Sequence, residues 1–217
     1  MNIEQARFNM IEQQIRPWQV LDQDVLSLLG IVRREDFVPP GCRALAFFDT
    51  EVPLPEGQVM LAPKVEARLL QAVRLARHER VLEIGTGSGY MAALLAHQAQ
   101  QVISLEIRPT LVAMAAANLR HAGIANASVR QADGALGLSA EGPFDVIVLS
   151  GSVAAVPQTL LDQLKPGGRL VAIVGQEPVM QATLFTRVAG SQFKHEELFD
   201  TAAPRLQGFA EPASFHF

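Results

Sequence analysis

The sequence predicts an α/β fold in which a mostly parallel sheet carries helices on both faces. Short apolar strands alternate with helical segments from residue 62 onwards, and such alternation requires crossover connections between parallel strands. A glycine-rich turn follows the first of these strands, over 80–84. Two further strand-like runs, over 181–188 and 192–199, are joined at Ala189-Gly190. Because so short a turn joins only antiparallel strands, the sheet should end in a hairpin.

The region before this alternation predicts helices. Asp22 is a suitable N-cap for a helix with Val25 and Leu29 on one face, and Pro39-Pro40 ends it. Residues 49–63 contain several prolines and a glycine, which is typical of an irregular crossing segment, and helical spacing resumes over 62–76. We therefore expect residues 1–60 to form an N-terminal helical extension with the crossing segment. Residues 61–217 form the main domain, and the two make one compact unit.

Downstream of the glycine-rich turn, prolines, glycines and acidic residues bound the elements. The predicted elements are a helix from Tyr90, a strand over 101–106, a helix over 109–122, a strand over 128–131, a strand over 144–149, a helix over 157–164 and a strand over 170–174.

The glycine-rich turn is the strongest functional signal. Three alternate glycines, Gly85, Gly87 and Gly89, can take a positive φ and leave no Cβ in the way, so the backbone can approach a ligand closely. The next strand ends in Glu106, 21 residues after Gly85, where a carboxylate suits a ribose diol. Glycine turns also follow strands for purely structural reasons. Together with Glu106, however, this turn predicts a nucleotide-like cofactor.

Glu83, two residues before the first glycine, separates two cofactor classes. In a nicotinamide enzyme the loop cradles a pyrophosphate, which a carboxylate beside the loop would repel. S-adenosylmethionine has no phosphate and carries a sulfonium and an ammonium group, so it is compatible with an acidic loop. A purely structural hydrogen bond to a backbone amide is the alternative for Glu83. We therefore predict S-adenosylmethionine as the cofactor.

Composition excludes several other classes of protein. The chain has 217 residues, a net charge of −4 and no basic cluster, which argues against a nucleic-acid partner. Cys42 is the only cysteine and the five histidines have no ligand spacing, so neither an internal disulfide nor a metal site is expected. The N-terminus lacks the pattern of a signal peptide, and no apolar run approaches the ~20 residues that span a membrane. We therefore expect a soluble, cytoplasmic protein with no membrane partner.

Several segments together resemble the protein-L-isoaspartate O-methyltransferase family. The resemblance covers about residues 5–190. It rests on Val81-Leu-Glu-Ile-Gly-Thr-Gly-Ser-Gly-Tyr, Ser104-Leu-Glu-Ile, Ala132-Asp-Gly, Pro143-Phe-Asp-Val-Ile-Val, Leu164-Lys-Pro-Gly-Gly-Arg-Leu, Met10-Ile-Glu-Gln-Gln-Ile-Arg and Arg34-Glu-Asp-Phe-Val-Pro. The fold that it implies is the Rossmann-like, seven-stranded sheet of class I methyltransferases, with an antiparallel last strand.

The resemblance also implies an activity and a cofactor site. The activity is methyl transfer from S-adenosylmethionine to the α-carboxylate of an isoaspartyl residue in a protein or peptide, the first step of protein repair. The implied contacts fall into three groups. They are Glu83, Gly85, Thr86, Gly87, Ser88 and Gly89 at the methionine end; Glu106 with Ile107 at the ribose; and Asp133 with Gly134 at the adenine, while Ser150 lines the pocket.

The acceptor site departs from the family pattern. Family members carry a Gly-Gln-Thr-Ile-Ser-x-Pro stretch whose serine orients the acceptor carboxylate, and here the segment is Gly57-Gln-Val-Met-Leu-Ala-Pro. Leu61 takes the serine position between Met60 and Pro63, the other acceptor-site candidates. Losing the hydroxyl costs roughly 1–3 kcal/mol unless another donor, such as Lys64, compensates. The C-terminal Pro204-Arg-Leu also lacks the Val-Pro-Leu-like ending of the family.

Three alternatives therefore stay open. A divergent O-methyltransferase could act on another carboxylate, such as a small carboxylic acid, or on a small hydroxylated molecule. A hydroxyl acceptor would need a general base. A protein that binds the cofactor without catalysis would show affinity and no turnover. A nicotinamide oxidoreductase is disfavoured by Glu83 and would bind NAD instead.

Overall fold

The computed structural model describes residues 2–211. Its helices are α1 (Ile3–Asn9), α2 (Gln23–Ile31), α3 (Pro63–Val73), α4 (Tyr90–Gln98), α5 (Pro109–His121) and α6 (Gln158–Leu161). Its strands are β1 (Val52–Pro53), β2 (Val59–Met60), β3 (Arg80–Ile84), β4 (Gln101–Glu106), β5 (Ala127–Gln131), β6 (Phe144–Val153), β7 (Leu164–Gln176), β8 (Val179–Ala189) and β9 (Gln192–Asp200). A π-helical stretch, Met10–Ile15, continues α1.

Seven strands form one sheet in the order β5-β4-β3-β6-β7-β8-β9, and β1 pairs with β2 in a separate two-stranded ribbon. The five strands from β3 to β7 are parallel to one another. The chain leaves β3 towards β4 and β5, and then crosses to the other side of β3 with β6. The strand order therefore reverses between β3 and β6, and ligands of such sheets bind at the carboxyl ends of the strands beside this point.

The seven-stranded, mostly parallel sheet and its antiparallel end are confirmed. β8 runs antiparallel to β7, and β9 pairs antiparallel with β8. β8 is thus the strand that opposes the other six, and β9 returns to their direction. The turn at Ala189-Gly190 joins β8 and β9, and Gly190 takes a positive φ of 54° there.

Apolar side chains cover both faces of the sheet, but unequally. Helices α3, α4 and α5 pack on one face, against residues such as Val81, Val102 and Val146. The short α6 packs on the other face, against Ile147 and Leu170. The N-terminal elements contribute to the larger core, which includes apolar side chains from Met10 to Leu54. The N-terminal region from Met10 to Leu54 thus shares a core with the residues that follow, and a division at residue 60 stays a prediction.

Local spacing located most of the elements, and large differences occur at α6 and at the start of β7. The predicted helix over 157–164 shrinks to four residues, Gln158–Leu161. Leu164 already pairs with Phe144 of β6, and the next pair in register joins Arg169 to Val146. Strand β7 therefore begins before the segment Lys165-Pro-Gly-Gly, which the sheet accommodates as an irregularity within the strand.

Candidate active site

A cavity opens at the carboxyl ends of β3, β4 and β6. Its wall comes from the glycine-rich turn, the loops after β4 and β5, the ribbon β1-β2 and a segment near the C-terminus. The lining residues are Gln58, Val59, Ile84, Gly85, Gly87, Leu105, Glu106, Ile107, Arg108, Leu111, Ala132, Gly134, Ser150, Arg205, Leu206 and Gln207. The predicted cofactor residues Gly85, Gly87, Glu106, Ile107, Gly134 and Ser150 thus meet at one cavity.

The glycines of the turn are required by backbone geometry and by close packing. Gly85 has a φ of 90°, and a Cβ there would lie 2.6 Å from a methyl group of Leu206. Gly89, with a φ of 87°, precedes α4, and its Cβ would lie 3.2 Å from the Cβ of Ala115. The Gly85 N–H donates to the Leu105 carbonyl at 2.9 Å, so the turn is fixed to β4.

Glu106 fixes the turn and faces the cavity. Its Oε2 accepts from the Gly87 N–H at 2.9 Å, and its Oε1 accepts from the Arg108 N–H at 3.0 Å. Each carboxylate oxygen therefore keeps one lone-pair direction for a further donor. Two hydroxyl groups of a ribose diol match these two acceptors, as the sequence predicts for Glu106.

Glu83 lies beneath the turn, and it is not among the residues that line the cavity. It is fully buried and accepts hydrogen bonds from the hydroxyls of Ser104 at 2.6 Å and Ser150 at 2.8 Å. Thr86 shares a hydrogen bond of 2.5 Å with Ser104. Burial raises the pKa of the Glu83 carboxyl to about 8, although both serine hydroxyls favour the charged form. Glu83 thus acts on the cavity through Ser150, the member of this network that lines it.

Asp133 and Ser88 also act on the site indirectly. Asp133 is exposed, and its side chain caps the short 3₁₀ turn Gly134–Leu136 by accepting from the Ala135 N–H at 2.9 Å. The cavity wall here is Gly134, where a Cβ would lie 2.3 Å from Ile84. Ser88 is buried, and its carbonyl accepts from the Asn118 amide at 2.9 Å.

The acceptor-site candidates are buried beside the cavity. Met60, Leu61 and Pro63 do not line it, whereas Gln58 and Val59 do. Leu61 belongs to the larger core, so its side chain does not take the place in the cavity that the family pattern gives to the serine. The acceptor roles of these three residues stay a prediction without direct contact to the cavity.

Two cations near Leu61 already have partners. Arg34 is buried, pairs with Glu66 and donates to the Leu61 carbonyl at 2.6 Å, which fixes the backbone of the acceptor segment. Lys64 pairs with Asp49 at 2.6 Å and stacks over the Trp18 ring, 3.7 Å from its centroid. Lys64 therefore does not supply the cation that could replace the family serine.

The C-terminal segment over 203–208 completes the cavity, and sequence reasoning missed it. The Ser152 N–H donates to the Pro204 carbonyl at 2.8 Å, and the Leu206 N–H donates to the Ser152 carbonyl at 2.9 Å. These bonds hold the segment beside the end of β6. Leu206 then packs over Gly85 and Gly151, between the turn and β6. Only the alignment of Pro204 with the Val-Pro-Leu ending of the family could have indicated this placement.

The cavity fits S-adenosylmethionine better than a dinucleotide. Dinucleotide sites use the free amides of the glycine-rich turn to bind pyrophosphate. Here the Gly87 N–H is already bound to the side chain of Glu106, so it is not free for a phosphate oxygen. A ribose, an adenine against Ile107 and Gly134, and a methionine end near Gly85 require no phosphate site.

Residues 2–211 contain neither a cluster of metal ligands nor a helix suited to span a membrane. No group of three or more histidine, cysteine, aspartate or glutamate residues is placed to hold a metal ion there. None of the helices in that part of the chain is both long and apolar enough to cross a membrane.

Comparison with known proteins assigns the chain to a family. The model of the protein-L-isoaspartate (D-aspartate) O-methyltransferase family matches residues 5–202. The chain belongs to this family. A protein-L-isoaspartate O-methyltransferase of Koribacter versatilis is 39% identical over 194 residues, which are 89% of this chain and 87% of the relative. One of Brucella anthropi is 38% identical over 91% of each chain.

Solved structures of protein-L-isoaspartate O-methyltransferases share the fold. One has a TM-score of 0.77 at 25% identity, and the match covers 91% of this chain and 64% of that one. Another, from Plasmodium falciparum and in complex with S-adenosyl-L-homocysteine, has a TM-score of 0.77 at 21% identity and covers 95% of this chain and 99% of that one. The Rossmann-like methyltransferase fold inferred from the family resemblance is thereby confirmed.

Proposed function

We propose that this member of the protein-L-isoaspartate O-methyltransferase family transfers a methyl group from S-adenosylmethionine to the α-carboxylate of an isoaspartyl residue in a protein or peptide. The observation that carries the proposal is the carboxylate of Glu106. It binds the Gly87 N–H, faces the cavity and leaves two lone-pair directions for a ribose. This arrangement disfavours pyrophosphate and suits an adenosine without phosphates.

The chain's own residues need only position the acceptor and exclude water. When bound, S-adenosylmethionine supplies a methyl group on a positively charged sulfur. A carboxylate is already ionised at pH 7, so it can attack without a general base. Gly85 and Gly87 allow close approach to the backbone, Ser150 presents a hydroxyl held by Glu83, and Leu206 covers Gly85. The expected gain in rate comes from orientation and desolvation of the acceptor carboxylate.

A repair assay tests this function beyond the first chemical step. Methylation turns a carboxylate oxygen into part of a methanol leaving group. The next backbone nitrogen can then close a succinimide, and water opens the succinimide partly to the ordinary aspartyl form. We expect an isoaspartyl peptide to convert gradually into its aspartyl isomer when the protein and S-adenosylmethionine are both present. If chromatography shows conversion at the same rate without the protein, the repair role is wrong.

A different acceptor is the second candidate, because Leu61 removes the hydroxyl of the family pattern and lies in the core. A small carboxylate would then be methylated while isoaspartyl peptides are not. A protein that binds the cofactor without catalysis would bind S-adenosylhomocysteine and methylate neither class. The cytoplasmic location and the lack of a nucleic-acid partner remain predictions from the sequence.

A further inference from the structure

Arg205, in the C-terminal segment, is a positively charged residue of the cavity lining. It lines the cavity together with Leu206 and Gln207, and it pairs with Ser152 in a parallel bridge at the end of β6. Ser152 is two residues beyond Ser150, which also lines the cavity. Arg205 therefore lies on the β6 side of the cavity, whereas Glu106 marks the ribose side on β4.

The guanidinium of Arg205 is positioned by two partners, Ser152 and Glu211, and Glu211 can be replaced by another carboxylate. Its Nη1 donates to the Ser152 hydroxyl at 3.3 Å, and that hydroxyl in turn donates to the Ala203 carbonyl at 2.7 Å. Its Nε lies 3.0 Å from a carboxylate oxygen of Glu211. The Arg205 side chain is 27% exposed and that of Glu211 is 51% exposed, so solvent reaches this ion pair. A carboxylate partner that is half exposed is readily displaced.

The other cations near the cavity are committed elsewhere. Arg34 is buried against Glu66, and Lys64 is paired with Asp49. Arg108 also lines the cavity, but it follows Glu106 on the ribose side and pairs with Glu56 at 2.8 Å. On the β6 side, Arg205 pairs with Glu211. This partner is a carboxylate, as is the proposed acceptor.

We propose that Arg205 binds the acceptor carboxylate in place of Glu211, and so takes the part that the family serine plays at the position of Leu61. This proposal rests on the function proposed above. A guanidinium offers two parallel N–H donors to a carboxylate, which fixes the orientation of its oxygens as well as its position. Leu206, the next residue, covers Gly85 and limits the water around the acceptor. Glu211 then acts as an internal competitor that occupies Arg205 until a substrate arrives.

Peptide binding to the protein saturated with S-adenosylhomocysteine tests this proposal apart from catalysis. We expect Arg205→Met to weaken binding of an isoaspartyl peptide about tenfold or more and to raise its KM similarly, while the affinity for S-adenosylhomocysteine stays unchanged. The peptide affinity and KM of Arg205→Lys should lie between those of the wild type and Arg205→Met, because lysine keeps the positive charge but lacks the two parallel N–H donors of the guanidinium. Glu211→Ala should act in the opposite direction and lower the KM about twofold to fivefold. Arg130→Met removes a partly exposed arginine that pairs with Glu141 outside the cavity, and it should change neither the affinity for the peptide nor its KM.

A second comparison uses the peptide instead of the protein. A peptide whose isoaspartyl α-carboxylate is replaced by a carboxamide should bind the wild type about tenfold more weakly, and Arg205→Met should not distinguish the two peptides. If Arg205→Met binds and methylates the isoaspartyl peptide like the wild type, or loses S-adenosylhomocysteine to the same extent as the peptide, the role of Arg205 is wrong and the proposed function stands. If the wild type itself neither binds nor methylates isoaspartyl peptides, both proposals are wrong.

Discussion

Replacing Glu106 by alanine should weaken cofactor binding strongly, because its carboxylate lines the cavity and also holds the glycine-rich turn. Each Glu106 oxygen accepts one backbone N–H, from Gly87 or Arg108, and keeps one direction for a ribose hydroxyl. Two hydrogen bonds to a charged acceptor contribute about 1.5–3 kcal/mol each when they are well shielded from water, and less where solvent competes. Because the cavity is open to water, we expect a total loss of about 2–4 kcal/mol, which corresponds to roughly 30-fold to 1,000-fold in Kd.

Calorimetric titration with S-adenosylhomocysteine measures this loss directly. Glu106→Gln should fall between the wild type and Glu106→Ala, because an amide can accept from only one of the two backbone N–H groups. Glu141→Ala removes a partly exposed carboxylate from another part of the chain and is the matched control. Circular dichroism must show that each variant is folded. An unchanged affinity in a folded Glu106→Ala protein would refute the placement of the ribose at this carboxylate.

Three further predictions concern the turn and the core. Burial raises the pKa of Glu83 from 4.5 to about 8, so the stability linked to its protonated form is fully present below pH 4.5 and is lost as the pH rises towards 8. Denaturant titrations should therefore show that Glu83→Gln loses less unfolding free energy between about pH 5 and pH 8 than the wild type does. Glu66, whose pKa is raised to about 7, contributes a pH dependence to both proteins. An equal loss of unfolding free energy in the two proteins would contradict the prediction. Gly85→Ala and Gly123→Ala both place a Cβ at a positive φ, but only the Cβ at position 85 meets another side chain. In the same calorimetric titration, only Gly85→Ala should reduce the affinity for S-adenosylhomocysteine, by about tenfold or more. Equal affinities of the two variants would contradict the close approach at Gly85. Leu61→Ser removes a buried core side chain and should lower the unfolding free energy by about 2–5 kcal/mol without restoring a donor to the cavity, so a stable variant with faster isoaspartyl methylation would contradict the burial of Leu61.

Local patterns were sufficient for the part of the site that β3 and β4 carry. The bounds of β3 and β4 follow from short apolar runs, and a turn that contains Gly85 and ends before an apolar helix has few alternative structures. Glu106 at the end of β4 meets that turn because parallel neighbouring strands end at the same edge of the sheet. Sequence distance was therefore a good guide to spatial distance here.

The rest of the site depends on contacts that no local pattern encodes. Arg205 and Leu206 reach the cavity because their backbone pairs with Ser152, about 50 residues earlier in the chain, and this segment has neither helical nor strand periodicity. Leu61 is similar, because its burial follows from the way that Arg34 holds its carbonyl and α3 packs on the sheet. Glu83 is adjacent to the turn in sequence, yet it lies below the cavity because alternate residues of a strand point to opposite faces.

Methyl transfer to a matched pair of peptides tests the central claim most directly. The two peptides share one sequence and differ only in whether one residue is isoaspartyl or aspartyl, and the methyl group of S-adenosylmethionine is radiolabelled. We predict that the wild-type protein labels the isoaspartyl peptide well above background and leaves the aspartyl peptide at background. Equal labelling of the two peptides, or labelling of neither by a protein that binds S-adenosylhomocysteine, would contradict the proposed function.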